Sequence, residues 1–233
     1  MGRAKLIKFA EIGTFENVVK PGFKEVFNQP YYLKGKWDEL YFRNGKPIVL
    51  ELGCGKGEYT TGMAENNPGM NFIGVDIKGA RIWTGAKYAR EKQIDNIAFV
   101  RTRIEFINSL FDRDEIREIW LAFPDPQVKK RRNKKRLTGA RFLRLYQQFL
   151  IDQGIIHLKT DNRNLYDYTR SLIQYNKMEL IYSTDDLYAS NITGPVRDIQ
   201  TFYEKQFLEE GLKIYYLAFK LDHEKDIKEP GNA

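Results

Sequence analysis

The chain has 233 residues, 42% of them hydrophobic and 14% aromatic, which is enough for one sizeable core and excludes a disordered or low-complexity chain. No apolar run approaches the roughly 18 residues of a membrane span, and the N-terminal MGRAKLIKFAEIG scatters charges where a secretory signal needs an apolar stretch. With Cys54 as the single cysteine no internal disulfide can form, so the expectation is a cytoplasmic protein without membrane association or an obligatory protein partner.

Residues 1–46 are polar, aromatic and weakly periodic, with a Pro-Gly turn at Pro21-Gly22, and read as an N-terminal arm packed on or over the remainder of the chain. From Pro47 the chain alternates. Short apolar runs occur at Ile48–Leu52, Asn71–Val75, Ile97–Val100, Ile119–Phe123, Ile155–Lys159, Met178–Tyr182 and Lys213–Phe219. Between them lie segments of helical spacing such as Gly79–Glu91, Ala140–Leu150 and Asn162–Tyr175. This pattern predicts an α/β fold over 47–221, with a doubly wound, seven-stranded, mostly parallel sheet covered by helices on both faces. The pattern leaves the direction of the last two strands open. Residues 222–233 read as a polar tail that frays.

The first predicted strand runs into Glu51-Leu52-Gly53-Cys54-Gly55-Lys56-Gly57, and the second ends at Asp76, 23 residues after Gly53. Glycines allow a tight turn and close backbone approach, and an acidic residue at that spacing binds ribose hydroxyls in doubly wound folds. A nucleoside-containing cofactor is therefore expected at this edge. The loop is G-x-G-x-G, whereas a dinucleotide site wants G-x-G-x-x-G, and no P-loop occurs. Glu51 beside the loop suits an ammonium or hydroxyl better than a phosphate. S-adenosylmethionine, with its amino acid, sulfonium and ribose diol, matches this chemistry; a purely structural glycine turn is the plainer alternative. No histidine partners Cys54, which reads as a small buried filler. No metal site is read from the sequence.

The net charge is +7, and seven basic residues fall in one eight-residue run: Lys129, Lys130, Arg131, Arg132, Lys134, Lys135 and Arg136. Without them, acidic and basic residues balance at 31 each, so the excess is local. So dense a strip favours a polyanion, since each neutralised phosphate releases counterions; a merely solvated loop is the alternative. The run comes directly after Phe123-Pro124-Asp125-Pro126, whose prolines stiffen the turn and hold the Asp125 carboxylate at a strand end.

Together these motifs resemble the bacterial tRNA (guanine-N7-)-methyltransferases. The resemblance rests on Glu51–Gly57, Gly74-Val75-Asp76-Ile77, Phe123–Pro126 with Lys129 and the basic run, Lys159-Thr160-Asp161, and Thr201-Phe202-Tyr203-Glu204, in family order over Pro47–Phe219. It implies a Rossmann-like class I methyltransferase fold that uses S-adenosylmethionine to make 7-methylguanosine at position 46 of the tRNA variable loop. By motif position it implies that Glu51, Gly53, Gly55, Gly57, Asp76, Arg103 and Asp125 line the cofactor and that Asp125 is catalytic. It further implies that Lys129, Asp161, Thr201 and Glu204 hold the target nucleotide. Arg103 stands where the family commonly carries Asp or Asn facing the adenine, so backbone or Glu105 would have to take over that contact.

The chemistry agrees with these expectations. Guanine N7 has an in-plane lone pair and no proton, so positioning matters more than a base, and a fixed carboxylate would stabilise the charge gained by the ring. Asp161 is equally readable as a helix N-cap, and Thr201 with Glu204 as a capping box. Competing readings are a methyltransferase for an exocyclic base amine, a nicotinamide dehydrogenase, and a non-catalytic RNA-binding protein. His157 reads as packing.

Overall fold

The computed structural model describes residues 3–230. Its strands are β1 (Val18–Val19), β2 (Ile48–Leu52), β3 (Asn71–Asp76), β4 (Ile97–Arg101), β5 (Ile116–Ala122), β6 (Leu150–Thr160), β7 (Leu180–Thr184) and β8 (Tyr215–Leu221). They form one sheet in the order β1-β4-β3-β2-β5-β6-β8-β7. All neighbours from β1 to β6 are parallel, and β8 lies antiparallel between β6 and β7. The chain winds outward from β2 to β4 in one direction and from β5 to β6 in the other. A crevice therefore opens at the carboxyl ends of β2 and β5, where ligands of such sheets bind.

The α-helices are α1 (Arg3–Glu11), α2 (Phe23–Val26), α3 (Glu58–Asn66), α4 (Gly79–Glu91), α5 (Ala140–Tyr146), α6 (Arg163–Tyr175), α7 (Pro195–Asp198) and α8 (Phe202–Glu209). Alternate residues of each central strand feed two separate cores, as the two-residue side-chain period requires. Leu50, Val75, Leu121 and Leu158 pack with Leu143 of α5 and Leu165 of α6. Val49, Phe72, Phe99 and Trp120 pack with Met63 of α3 and Ile82 of α4 on the opposite face. This burial on both sides is why the strands read as continuous apolar runs.

Two expectations need correction. The sheet has eight strands, because Val18 and Val19 in the N-terminal arm pair with Phe99 and Val100. A two-residue strand carries too little pattern to be seen in sequence. The tail also does not fray as far as it is described. Ile227 is fully buried, and Gln147 Nε2 donates to the carbonyls of Asp222 and Lys225 (2.7 and 2.8 Å). Glu229 accepts from Ala140 N (3.0 Å) and Tyr168 Oη (2.7 Å), filling the N-terminus of α5. One apolar residue and one carboxylate are enough to hold this polar stretch down. The arm is anchored by Trp37, which is fully buried, stacks on Phe111 and donates Nε1–H to Leu110 O at 2.9 Å. Among the described residues, no helix is long and apolar enough to cross a membrane.

The segment joining β7 to α8 is fastened by a buried ion pair. Lys159, near the end of β6, donates Nζ–H to Glu204 Oε1 at 2.7 Å, and both side chains are 0% exposed. Lys159 Nζ also donates to Ile199 O (3.1 Å), while Glu204 accepts from Tyr188 Oη (2.7 Å) and Thr201 N (3.3 Å). Burial pushes the lysine pKa down and the facing carboxylate pushes it back up. Removing one partner of such a pair strands the other charge in the interior. Lys159→Met is therefore expected to lower unfolding free energy by about 3–5 kcal/mol in urea titrations, and Lys159→Met/Glu204→Gln to recover part of that loss.

Candidate functional site

The glycine loop bends β2 into α3 with Gly53, Gly55 and Gly57 at φ +84°, +56° and +74°. Close packing also demands glycine here: a Cβ on Gly57 would come within 2.6 Å of Phe99 Cε1. The loop's amides are largely spent within the protein. Gly53 N and Cys54 N both donate to Val75 O (2.8 and 3.1 Å), Gly57 N donates to Cys54 O (2.8 Å), and Gly55 N donates to Asp76 Oδ2 (3.0 Å). The other Asp76 oxygen accepts from Lys78 N at 2.7 Å, which fixes the carboxylate at the end of β3.

Beneath the loop, Glu51 is 3% exposed and accepts from Thr60 Oγ1. Burial raises its pKa from the ordinary carboxyl value to about 7, with the hydrogen bond from Thr60 opposing and Asp76 and Glu58 adding to the rise. Cys54 is buried in the loop and its thiol is pushed well above its usual pKa by the same burial, so it is no nucleophile.

A cleft of about 720 Å³ opens over the loop. Gly53, Asp76 and Asp125 give it polar groups, and Ile77, Ile104, Leu137 and Phe142 give it apolar walls. Arg103 stands on its rim with its side chain 55% exposed and pairs with Glu105 at 3.5 Å. Partial burial works against the Glu105 carboxylate, but its own backbone N–H and Arg103 hold its pKa below the ordinary value. The structure thus brings Gly53, Asp76, Arg103 and Asp125 to one cavity, whereas Glu51, Gly55 and Gly57 do not line it: Glu51 is buried against Thr60, and the two glycines serve the turn. The apolar walls carry no motif that singles them out in sequence; Leu137 is detectable only as the first apolar residue after the basic run.

Asp125 reaches the cleft through a strained turn. Phe123, directly after β5, has φ +50°, and Gln127 has φ +49°, the left-handed region that bulky residues avoid. Phe123 N donates to Lys159 O (2.8 Å), and Gln127 N donates to Asp125 Oδ1 (2.9 Å). Asp125 is exposed and borders the cleft, and its Oδ2 accepts no hydrogen bond from the described residues.

The basic run folds as a 3-10 turn over Lys130–Lys135. Lys129, Arg131, Arg132, Lys134 and Lys135 are exposed, and Lys135 reaches the cleft. The side chain of Lys130 lies outside the described residues. Arg136 differs from the others: it is half-buried, donates Nε–H to Pro126 O (3.2 Å) and stacks on Tyr168 at 4.3 Å, clamping the Asp125 turn.

The remaining candidates sit around the end of β6. Asn162, not Asp161, caps α6 by accepting from Leu165 N at 2.9 Å. Asp161 is half-buried with its pKa raised by that burial, and its side chain makes no hydrogen bond to another residue among those described. Thr201 and Glu204 do form a capping box, with Glu204 N donating to Thr201 Oγ1 at 3.2 Å. Fully buried and already bonded to Lys159, Tyr188 and Thr201 N, Glu204 has no oxygen directed to the cleft. Its partner Lys159 is a structural hub that sequence does not reveal, because a lysine inside an apolar strand gives no pairing signal. His157 is indeed packing: it stacks on Trp120 at 3.8 Å and bonds Tyr216 Oη at 2.9 Å.

Comparison with known proteins agrees with this architecture. A family model described as "Putative methyltransferase" matches residues 45–217. The tRNA (guanine-N(7)-)-methyltransferase of Christiangramia forsetii is 50% identical, over 93% of this chain and 97% of that protein. The protein of the same name from Bacteroides fragilis is 46% identical, over 99% of this chain and 90% of that protein. Among solved structures, the 16S rRNA methyltransferase KamB superposes with a TM-score of 0.59 at 12% identity, over 78% of this chain and 90% of that one, a likeness of fold. With a methyltransferase model covering most of its length and relatives this similar matched almost end to end, the chain belongs to the tRNA (guanine-N(7)-)-methyltransferase family.

Proposed function

We propose that the cleft binds S-adenosylmethionine and that the chain methylates N7 of the variable-loop guanosine at position 46 of tRNA. The observation that carries this reading is the strained turn that presents the Asp125 carboxylate at the cleft wall, beside an exposed cationic strip. The donor set supports this cofactor over a dinucleotide. Four glycine-loop amides are already bonded within the protein, which leaves fewer N–H groups for a pyrophosphate. Asp76 keeps lone pairs for a ribose diol, and Ile77, Ile104, Leu137 and Phe142 offer an apolar slot for adenine. Arg103 lines the rim, so Glu105 or backbone is left to meet the adenine amino group. Glu51 supports the loop from below.

When bound, the cofactor supplies an electrophilic methyl on a sulfonium. The protein orients guanine N7 for in-line attack and excludes water from the line. Asp125 faces positive charge as it develops on the purine and lowers that barrier electrostatically. Asp161, unpaired and half-buried, is the acceptor suited to the N1–H and N2–H₂ edge that distinguishes guanine from adenine. Thr201 and Glu204 act by capping α8 and tying it to β6. Lys129, Arg131, Arg132, Lys134 and Lys135 hold phosphates, with Arg136 as the anchor of their turn; Lys130 is assigned to the strip by sequence alone. These contacts offset the few kcal/mol needed to unstack the target base. Residues 47–221 form the catalytic unit in this reading, with the arm 1–46 as its brace.

The decisive experiment uses methyl-labelled cofactor, unmodified tRNA transcripts and nucleoside mass spectrometry. Label is expected in 7-methylguanosine and lost when the variable-loop guanosine is replaced; label in another nucleoside would overturn the substrate. Asp125→Ala is expected to lower kcat at least a hundredfold, the scale of one electrostatic stabiliser, while tRNA affinity holds within about threefold. Joint neutralisation of Lys129, Arg131, Arg132 and Lys134 is expected to flatten the salt dependence of tRNA binding by about three to four counterions, read as the slope of log Kd against log salt. Glu51 yields a pH dependence of its own. Its folded pKa of about 7 exceeds the unfolded value, so its contribution is complete below pH 4.5 and is lost as pH rises towards 7. The ligand-free protein should therefore lose about 3 kcal/mol across that window relative to Glu51→Gln, measured by urea unfolding at each pH.

A further inference from the structure

A second hollow, of about 350 Å³, lies beside the cleft, and Glu105 lines both. One wall is the 3-10 turn Ile104–Ser109, which leaves the end of β4 on the ligand side of the sheet. The other wall is α2 and the residues just after it in the N-terminal arm. Phe106 lines the hollow and belongs to a cluster of three phenyl rings. Phe23 and Phe27 stack at 4.7 Å with their planes 24° apart, and Phe106 meets them edge-on at 5.7 and 6.3 Å. Phe23 is nevertheless 61% exposed and Phe27 49% exposed. A side chain recruited only for the core would not leave that much ring in water.

The hollow combines apolar walls from Val26, Pro30 and Phe106 with polar groups. Asn28, Gln29, Asn108 and Ser109 line it, and Asn108 Oδ1 has no hydrogen-bond partner. Lys34 lines it as well, held only loosely by Asp112 at 3.9 Å, and exposed Lys24 stands beside the rings. Exposed aromatic faces, amides that both donate and accept, and nearby lysines are the combination by which proteins hold single-stranded nucleotides: stacking on the ring, pairing along the base edge, neutralising the phosphate.

We propose that this hollow is a second nucleobase site, taking an unpaired base of the tRNA other than the target guanosine. The proposal rests on the reading of the cleft as a tRNA-methylating site. A base seated here would sit next to the cleft across Glu105, so the arm and the catalytic edge would grip the same RNA. Glu105 would accept from base N–H groups, and Gln29 would donate.

The test measures tRNA affinity, cofactor affinity and methyl transfer for the wild type and for Phe23→Ala/Phe27→Ala, whose rings are exposed enough to remove without opening the core. Loss of one stacked base is expected to weaken tRNA binding about five- to a hundredfold, with the salt slope unchanged because no charge is removed, and with cofactor affinity unchanged. Phe23→Trp/Phe27→Trp should retain the binding. Affinity within twofold of wild type would overturn the proposal. So would a variant that loses self-association in sedimentation while keeping its tRNA affinity, because the surface would then belong to a second copy of the chain. If the double variant fails to fold, wild-type protein irradiated with tRNA carrying 5-iodouridine at its unpaired positions decides: a cross-link within Phe23–Phe27 supports the site, and cross-links confined to other peptides overturn it. A wild type that binds tRNA without methylating it defeats the catalytic reading but not this one; a wild type that does not bind tRNA defeats both.

Discussion

The ion pair between Lys159 and Glu204 is the constraint from which the ligand edge takes its shape. A lysine within an apolar strand has no favourable state unless a carboxylate meets it, and the carboxylate comes from a helix 45 residues further along the chain. That meeting brings α8 and the segment before it onto the end of β6. The consequences spread to both neighbours. On one side the backbone carbonyl of the same lysine accepts from Phe123 and fixes the start of the Asp125 turn. On the other, Phe202 N bonds Glu58 at 3.3 Å and Ile199 packs against Gly62, so α8 also braces the helix that succeeds the glycine loop. One buried charge pair thus holds together three segments that the sequence keeps far apart.

Two left-handed residues, Phe123 and Gln127, flank Asp125 on this frame. The left-handed Phe123 is offset by its hydrogen bond to β6, by contact of its ring with Phe207 at 5.8 Å, and by the clamp of Arg136 on Pro126. Such over-determination is what keeps an unfavourable backbone conformation populated. It gives a short acidic side chain a fixed direction without an ion pair to its own carboxylate among the described residues, so the carboxylate remains available to a ligand.

Much of this is legible in the sequence where the signal is local. The strand Ile48–Leu52 and the helix Gly79–Glu91 have their expected limits because burial on both faces of a strand, and on one stripe of a helix, writes itself into residue periodicity. The glycine loop and the Asp125 turn are contiguous motifs and are visible for the same reason. The features that escape depend on contacts distant in sequence. Val18 and Val19 become a strand only because β4 offers an edge, and Ile227 is buried only because the core around α5 and α6 leaves room for it. The apolar walls Ile104 and Phe142 belong to different elements that meet at the cleft. Glu204 is legible as a capping residue and as a family motif, but not as the partner of Lys159, since pairing inside a core has no spacing rule.

The placement of Leu137 joins two surfaces that the chain could have kept apart. A Cβ on Gly53 would lie 4.0 Å from Leu137 Cδ1, so the residue that ends the basic run hangs over the glycine loop, and Lys135 borders the same cleft. A ligand that ordered the run would also order the roof of the cleft to the extent that Leu137 moves with both. Thermodynamic linkage makes the exchange reciprocal: the factor by which one ligand tightens the other must be the same in both directions. A single leucine just after a cationic strip is thereby the point where the strip and the glycine loop meet.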